Sequence, residues 1–384
     1  MKIIYLTTSL FEKDYIEFQK IWKIPLNSSN QNFHSKIIKA LGKTNQVDVI
    51  SLRPFSLNKC RLTKLYRETT VIDNVSYHYL RVSPHRLLRF HVFKKEAFKI
   101  LGSLDLKDAI IVSDTINPKT IRLANIIKKK FNLPLVGLVT DSPSNISGTS
   151  RSYSIYLYNQ CKDLDGYVSL TKDLDNLFNQ NNKPSIIIEG IVEEEMPKPI
   201  ENKYGKYFFF GGALLKRYGI YDLINSFKKL PQNDINLLIC GHHCDEEAMK
   251  KAIHGDKRIH YLKCLPNQYV LQLEMNALAN VNPRPYSEDL DRYSIPSKTL
   301  EYLRSGRPTI SVKNSKLQKK FSDDIIWAKS SSEEDLTFTL NHLLELTKEE
   351  RDTLGEKAKE KVLSMYSISE VGKTLSEFLS NIIK

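Results

Sequence analysis

The chain has 384 residues, of which 41% are hydrophobic and 26% charged, and its formal net charge at pH 7 is +13. This composition is typical of a globular protein and excludes a disordered or fibrous chain. At about 150 residues per domain, the length predicts two or three domains, each able to bury its own core.

Neither the cysteines nor the apolar runs indicate a secreted or membrane-spanning protein. The five cysteines are sparse and form no CxxC pair, which argues against a disulfide framework and favours a reducing cytoplasm. No apolar run approaches the roughly 18 residues that a spanning helix needs, and the opening residues MKIIYLTTSLFEKD become charged too early for a signal peptide. We therefore expect a soluble, cytoplasmic chain.

Short apolar runs alternate with helical patterns along the first half of the chain. Six of these runs are predicted to be strands: Lys2–Thr8, Gln46–Leu52, Asp108–Asp114, Leu133–Thr140, Gly166–Thr171 and Pro184–Gly190. Uninterrupted apolar strands that alternate with helices predict a parallel sheet covered on both faces.

A strongly basic stretch interrupts this series. Between Ser51 and Ile100 the chain has eleven Lys and Arg residues but only three Asp and Glu. Such a patch is either a solvated basic face or a surface that attracts nucleic acid or anionic lipid. Its segment Arg81–Leu101 mixes cations with apolar residues, so it could be an ordinary amphipathic helix on the sheet or an interfacial helix that contacts anionic lipid.

A second strand series follows the polar, proline-containing stretch Glu193–Lys206, which is predicted to be a linker. Its members are Lys206–Gly212, Ile235–Gly241, Arg258–Cys264, Leu278–Pro283, Pro308–Val312 and Ile325–Ala328. We therefore expect two α/β domains, 1–192 and 207–366, joined by a linker at 193–206 and followed by a terminal helix at 367–384. Because ligands of open α/β sheets bind at the carboxyl ends of the strands, we expect the two domains to face each other across a ligand-binding cleft.

The stretch SIPSKTLEYLRSGRPTISV contains the most informative helix. With Ser297 as its N-cap and Gly306 just past its end, the helix begins at the carboxyl edge of the second sheet. A helix N-terminus favours a phosphate, Lys298 adds a full positive charge, and Glu301 lies one turn further along, where it could bind sugar hydroxyls. Together these features indicate a nucleoside diphosphate, and the alternative is a capped helix with a solvated Lys and Glu.

A glycine turn before this helix supports the same interpretation. In FFFGGALLKRYG, Gly211 and Gly212 end a strand and let the backbone approach a ligand closely. Lys216 and Arg217 follow within a short loop and could bind phosphate.

Three further groups of residues were considered for chemistry. His34 and Asp141 are placed where elements of the first domain reach the cleft, and either could contact an acceptor or act as a general base. The segment His242–Cys244 contains possible zinc ligands, but adjacent residues cannot easily surround one tetrahedral ion. The DxD pattern at Asp289–Asp291 occurs twice elsewhere in the chain, so we expect no metal.

These residues resemble the GT-B glycosyltransferases of family 4. The matching segments are FFFGGALLKRYGIYDLINSF, LLICG, HYLKCLPNQYVLQLEMNALANVNPRP and SIPSKTLEYLRSGRPTI, and KIIYLTTS, GLVTDSP and DGYVSLTKDL match less specifically. The resemblance implies two Rossmann-like domains, with the nucleotide sugar bound mainly by the second domain and the acceptor mainly by the first. It also implies that the terminal helix crosses back to pack on the first domain.

The resemblance assigns roles to individual residues. Glu301 matches the glutamate that binds the ribose, and Lys298 matches a lysine at the diphosphate. Cys264 and Leu265 match the segment whose backbone contacts the base. The residues expected to open the first helix, near the donor phosphate and the acceptor, are Asn32, Phe33 and His34.

The chain also departs from the family pattern. A second glutamate is expected eight positions before Glu301, where this chain has Tyr293. The carboxylate expected at the transferred sugar is therefore missing, or is replaced by Glu288, Asp289 or Asp291. Ala213 and Tyr218 replace the usual Arg and Lys of the phosphate loop, and LNSSNQNF replaces a glycine-rich loop.

The sequence therefore predicts a glycosyltransferase that moves a hexose from a UDP- or GDP-sugar to a glycan or lipid-linked acceptor, with retention of configuration, in surface polysaccharide biosynthesis. No cofactor, metal or nucleic acid is expected, and the basic segment would place the protein at the inner face of the cell membrane. The alternatives are a sugar-nucleotide 2-epimerase of the same fold and a non-catalytic polyanion-binding protein.

Overall fold

The computed structural model describes residues 1–22, 28–52, 69–81, 83, 85, 87–145, 149–198 and 201–384. It divides the chain into two compact units. Unit 1 contains Met1–Ile191 together with Ile368–Lys384, and unit 2 contains Val192–Ser367.

Unit 1 is built on an eight-stranded sheet flanked by helices. Its elements up to the end of the sheet are β1 (Lys2–Thr7), α1 (Glu12–Trp22), α2 (Ser28–Gly42), β2 (Gln46–Ser51), β3 (Thr69–Ile72), β4 (Val75–Tyr79), α3 (Arg89–Leu101), β5 (Ala109–Asp114), α4 (Pro118–Phe131), β6 (Leu135–Val139), α5 (Arg151–Cys161), β7 (Gly166–Ser169), α6 (Lys172–Phe178) and β8 (Ser185–Ile187). The strand order is β3-β4-β2-β1-β5-β6-β7-β8. All neighbouring strands are parallel except β3 and β4.

The six strands predicted for the first half of the chain are confirmed, and the structure adds the antiparallel hairpin β3–β4. Strand β1 lies between β2 and β5, so the direction of strand addition reverses at the β1–β5 pair. In doubly wound sheets, a ligand crevice opens at the carboxyl ends of such a pair. Thr7 and Asp114 are the last residues of these two strands.

Unit 2 contains a six-stranded parallel sheet. Its elements are β9 (Lys206–Ala213), α7 (Ile220–Lys228), β10 (Ile235–His242), α8 (Glu246–Ile253), β11 (Ile259–Tyr261), α9 (Asn267–Asn276), β12 (Ala279–Asn282), α10 (Glu288–Tyr293), α11 (Ser297–Arg304), β13 (Thr309–Val312), α12 (Ser315–Lys320), β14 (Ile326–Ala328), α13 (Glu333–Glu345) and α14 (Lys348–Tyr366). The order β11-β10-β9-β12-β13-β14 places its reversal point between β9 and β12. All six strands predicted for this half are confirmed.

The stretch that was predicted to be a linker is attached to unit 2 at its start. Val192 forms a parallel bridge with Ser367, and the guanidinium of Arg304 donates a hydrogen bond of 3.1 Å to the carbonyl oxygen of Glu193. Chain entry into unit 2 and chain exit from it therefore lie side by side.

The last helix, α15 (Ile368–Ile383), belongs to unit 1. Its apolar residues Val371, Leu375 and Phe378 join the core beneath the sheet of that unit. Gly372 lies so close to α2 that a Cβ atom there would be 2.6 Å from the carbonyl oxygen of Ala40. The helix therefore packs directly on α2.

Candidate functional site

The reversal point of the unit 2 sheet brings together the two segments that the sequence singled out. Strands β9 and β12 pair only at Phe208–Ala279 and Phe209–Asn280, so they are not paired beyond these residues, where Gly211 and Gly212 follow. Helix α11 is tied to the end of β12, because the amide of Asn282 donates a 2.8 Å hydrogen bond to the hydroxyl of Thr299. Its first turn thus lies at the carboxyl edge of the sheet, where ligands bind in this type of fold.

Lys298 and Glu301 form an ion pair on α11. The ammonium nitrogen of Lys298 is 2.7 Å from Oε2 of Glu301 and 3.8 Å from Oε1 of Glu274. Burial works to lower the pKa of Lys298, but the charges of Glu301 and Glu274 outweigh it and raise the pKa above the usual value. Lys298 is therefore a permanent cation, and its side chain remains 35% exposed.

Glu274, on α9, was missed by the sequence analysis. Its side chain is completely buried, although ionised carboxylates are rarely buried without a compensating charge. The signal was present as a glutamate inside the apolar pattern VLQLEM, on a helix that buries Leu273 and Glu274 side by side. Lys298 thus lies between a buried carboxylate and a partly exposed one.

The N-terminus of α11 differs in detail from the prediction. Ser297 is the first helical residue and not the N-cap, which is the extended residue Pro296, and no side chain caps the helix. Proline cannot accept a capping bond with its side chain, so the first-turn N–H groups are not covered by a side-chain oxygen. Gly306 follows the C-cap Ser305 with φ 72°, as predicted.

The glycine turn after β9 lies against its neighbour β10. Gly212 pairs with Gly241, whose missing side chain is essential because a Cβ atom there would be 1.6 Å from the carbonyl oxygen of Gly212. Lys216 and Arg217 follow in a single 3-10 turn and are both exposed. The guanidinium of Arg217 lies over the ring of Tyr218, 5.1 Å from its centroid.

The residues assigned to the base and to the transferred sugar lie further along unit 2. Cys264 is exposed after β11, and Leu265 is half-buried against the core. Glu288 is exposed at the start of α10. Asp291, on the same helix, accepts hydrogen bonds from Arg284 and from the backbone of Ser287. This carboxylate therefore stabilises the loop between β12 and α10.

In unit 1, the structure corrects the position of the first helix and the role open to His34. Helix α1 precedes α2, and α2 begins at Ser28, so Asn32 and His34 lie inside the helix and do not open it. His34 is completely buried. It can therefore act on a ligand only through its neighbours.

His34 belongs to a buried polar group at the reversal point of the unit 1 sheet. Its Nδ1 is 2.7 Å from the hydroxyl of Tyr5, and its Nε2 is 3.7 Å from Oδ2 of Asp114. Burial lowers the pKa of His34, and the charge of Asp114 only partly offsets this effect. The sequence analysis did not single out Asp114, although this carboxylate ends the predicted strand Asp108–Asp114.

The other predicted residues of unit 1 differ in exposure. Asn32 is exposed on α2, whereas Phe33 is half-buried and packs edge-on against His34. Asp141 is half-buried after β6, where burial raises the pKa of its carboxyl group despite a hydrogen bond from the backbone of Ser142. A carboxylate with a raised pKa, placed at the carboxyl edge of a sheet, is a candidate general base.

The family is decided by the second half of the chain. Residues 191–361 match the family model of glycosyl transferases group 1, and this range nearly coincides with unit 2. The second half of the chain is therefore a group 1 glycosyltransferase domain. No curated protein matches the chain.

The fold is that of the GT-B glycosyltransferases. Sucrose-phosphate synthase from Thermosynechococcus elongatus is similar with a TM-score of 0.70 at 12% identity, covering 98% of both chains. Anabaena HepE in complex with UDP has a TM-score of 0.67 at 12% identity, covering 99% of this chain and 100% of that one. HepE is also solved in complex with UDP-glucose. Trehalose-6-phosphate synthase OtsA has a TM-score of 0.68 at 12% identity, covering 99% of both chains.

In this glycosyltransferase, the basic stretch is only partly described. Arg53, Lys59, Arg61, Lys64, Arg67 and Arg86 lie outside the described residues. Helix α3 turns Phe93, Ala97 and Leu101 inwards, and Leu87 and Leu88 before it are exposed. Across the described residues, no helix is long and apolar enough to span a membrane.

No metal-binding cluster is found in the part of the glycosyltransferase that the structure describes. There, no group of three or more His, Cys, Asp or Glu residues is arranged to hold an ion. His242 is exposed at the end of β10. Partial burial and the charges of His243 and Lys298 lower the pKa of His242. The imidazole of His242 and the ammonium group of Lys298 therefore interact electrostatically.

Proposed function

We propose that this glycosyltransferase transfers a hexose from a UDP-sugar to the hydroxyl of a glycan or lipid-linked acceptor. The observation that carries the donor assignment is the cluster of Lys298, Glu301 and the Gly211–Gly212 turn at the reversal point of the unit 2 sheet. It combines a permanent cation, a helix N-terminus without a side-chain cap and a partly exposed carboxylate. A nucleoside diphosphate has phosphates for the first two groups and ribose hydroxyls for the third.

The proposed roles follow from charge. Lys298 and the first-turn N–H groups of α11 stabilise the diphosphate as it leaves with the electron pair of the sugar–oxygen bond. Lys216 and Arg217 are exposed cations on the loop after the glycines and supplement this charge. Glu301 accepts hydrogen bonds from the ribose, and in doing so it gives up its ion pair with Lys298.

Unit 1 is proposed to bind the acceptor. Asn32 is exposed on α2, and Asp141, with its raised pKa, is the candidate to take the proton of the acceptor hydroxyl as the new sugar–oxygen bond forms. The buried group of His34, Tyr5 and Asp114 holds α2, which carries Asn32, against the sheet. Retention of configuration is the outcome expected from the resemblance to family 4.

UDP is favoured over GDP by the fold comparison. HepE, one of the similar structures, is in complex with UDP or UDP-glucose, and the two chains cover each other almost completely. Cys264 and Leu265 are proposed to border the base through their backbone. Glu288 is proposed to contact the transferred hexose in place of the glutamate that Tyr293 replaces.

A thermal-shift screen of UDP, GDP, TDP and their sugars tests the donor assignment. We expect UDP and UDP-hexoses to raise the melting temperature, with no requirement for a divalent cation and no effect of EDTA. Glu301→Ala should abolish most of the shift. Glu247→Ala, which removes an exposed glutamate on α8, should leave it intact. The absence of a melting-temperature shift with every nucleotide, or an equal loss of the shift in the two variants, would contradict the assignment.

We further propose that the basic surface of unit 1 contacts an anionic membrane, at which a lipid-linked acceptor for surface polysaccharide would be presented. The support is the combination of exposed Leu87 and Leu88 with the cations of α3, an arrangement that suits the interface of an anionic bilayer. Co-sedimentation with vesicles that contain phosphatidylglycerol should exceed that with phosphatidylcholine and should fall with salt. Equal sedimentation with the two lipids would contradict the proposal.

A further inference from the structure

Strand β9 loses one of its two neighbours at the proposed phosphate site. On one side its pairing with β10 continues to Ala213. On the other side its pairing with β12 ends at Phe209. The backbone N–H and C=O groups of the glycine turn that face β12 therefore need another partner, because buried peptide groups are almost always hydrogen-bonded.

The hydroxyl of Tyr302 provides that partner. It accepts a 2.9 Å hydrogen bond from the N–H of Gly211 and donates one of 3.1 Å to the C=O of the same residue. The side chain is completely buried. A neutral phenol can donate and accept at once, and burial raises the pKa of Tyr302 above its usual value, so the hydroxyl stays neutral.

The glycine turn is thus held from both sides. On the β10 side, Gly241 has no Cβ atom that would clash with the carbonyl oxygen of Gly212. On the β12 side, Tyr302 supplies the hydrogen bonds that β12 does not make with Gly211. A Cβ atom at Gly211 would also be 2.9 Å from the ring of Phe209, so the turn has little freedom to move.

Tyr302 also links the turn to α11. It directly follows Glu301, and it lies four residues after Lys298, which places Tyr302 and Lys298 on neighbouring positions of one helix face. The groups proposed to bind the ribose and the diphosphate are therefore fixed relative to the glycine turn by a single side chain.

We propose that Tyr302 is a positioning residue for the donor diphosphate, acting through the Gly211–Gly212 backbone and touching no substrate itself. This inference rests on the proposed function of the site. A positioned backbone matters for phosphate binding because N–H groups bond an anion only when they are already aimed at it. The ribose, bound by Glu301, does not depend on the glycine turn in the same way.

The test compares UDP with uridine in wild type and Tyr302→Phe. Affinities are measured by calorimetry for UDP and by ligand-observed NMR titration for uridine. Loss of the hydroxyl should weaken UDP binding about three- to tenfold, the effect of losing one or two hydrogen bonds. Uridine binding should change less than about twofold, as expected for a group that acts on the phosphates.

Tyr207→Phe is the matched control. Tyr207 lies at the other end of β9, is buried, and donates its hydroxyl to the carbonyl oxygen of Leu273 at 2.8 Å. It therefore loses a comparable buried hydrogen bond, and we expect unchanged affinity for both ligands. Equal weakening of UDP in the two variants, or equal weakening of UDP and uridine in Tyr302→Phe, would overturn the proposal.

A measurement on the unsubstituted protein covers the case in which Tyr302→Phe does not fold. The amide of Gly211 should exchange its hydrogen slowly without ligand, because Tyr302 already bonds it. The amide of Ala213, which points to the same side of β9 as that of Gly211 and away from β10, should become protected when UDP is added. Rapid exchange at Gly211 would contradict the role of Tyr302. Failure of the wild-type protein to bind UDP would instead contradict the proposed function.

Discussion

At the scale of single residues, Lys298 is shared between two carboxylates. Glu301 and Glu274 both lie within ion-pair distance of its ammonium group, so a diphosphate would compete with them for this cation. Glu301 can withdraw towards a ribose because it is 23% exposed, whereas Glu274 is completely buried.

Lys298→Met should therefore destabilise the protein, mainly by leaving Glu274 without its cation. We expect a loss of about 2 kcal/mol at pH 8, less than for a fully buried pair because water partly screens Lys298.

Urea unfolding of wild type and variant at pH 8 measures this effect. The double variant Lys298→Met with Glu274→Gln should recover most of the stability, because no charge then remains buried. A deficit that the second substitution leaves unchanged would show that Lys298 does not compensate Glu274.

The sequence located Lys298 and Glu301 because their spacing on one helix fixes their separation. It did not locate Glu274, because the contact with Lys298 joins two helices of different sequence position and depends on the packing of α9 on the sheet. The burial of His34 could not be predicted from the sequence either. Its position near the start of α2 was compatible with exposure or burial, and only the packing against Tyr5 and Asp114 decides between them.

At the scale of elements, twelve strands were predictable because most of them are short, largely apolar runs between turn residues. The hairpin β3–β4 was not, since β3 alternates exposed and half-buried residues at the edge of the sheet. Helix α1 was missed because its start lies in a polar stretch. Asp14 in this stretch is buried and accepts hydrogen bonds from the hydroxyls of Tyr79 and Thr70. Such tertiary contacts leave no periodic pattern in the sequence.

The pair β9–β10 makes a sharp prediction about Gly241. A Cβ atom at this position would overlap the carbonyl oxygen of Gly212, so Gly241→Ala should push the glycine turn out of place. We expect UDP binding to be lost and unit 2 to be destabilised by about 2 kcal/mol or more.

Gly255→Ala is the control for backbone strain. Gly255 also has a positive φ, 86°, but a side chain there meets no atom within 4 Å. It should cost about 1 kcal/mol through strain alone and leave UDP affinity unchanged. Calorimetric titration and thermal unfolding of the two variants separate the effects, and full UDP affinity in Gly241→Ala would refute the prediction.

At the scale of the whole molecule, the chain returns to unit 1 after completing unit 2. Exit and entry are adjacent at the Val192–Ser367 bridge, and α15 then contributes its apolar face to the core of unit 1. The packing of α15 on unit 1 was predicted only through the resemblance to family 4. Residues separated by more than three hundred positions, such as Asn45 and Ser376, become hydrogen-bonded.

A core substitution in α15 should consequently destabilise unit 1. Leu375 is 2% exposed within that core, and Leu375→Ala should cost about 2–4 kcal/mol by removing buried methyl groups and leaving a cavity. Glu377→Ala, an exposed position of the same helix, should change stability by less than about 0.5 kcal/mol.

Hydrogen exchange measured at increasing urea follows each unit separately. We expect Leu375→Ala to shift the exchange of amides in β1 and β5 of unit 1 to lower urea. Exchange of amides in β9 and β10 of unit 2 should move much less, because α15 packs in the core of unit 1. If Leu375→Ala instead shifted only the amides of unit 2, α15 would have to stabilise unit 2, contrary to its packing on α2.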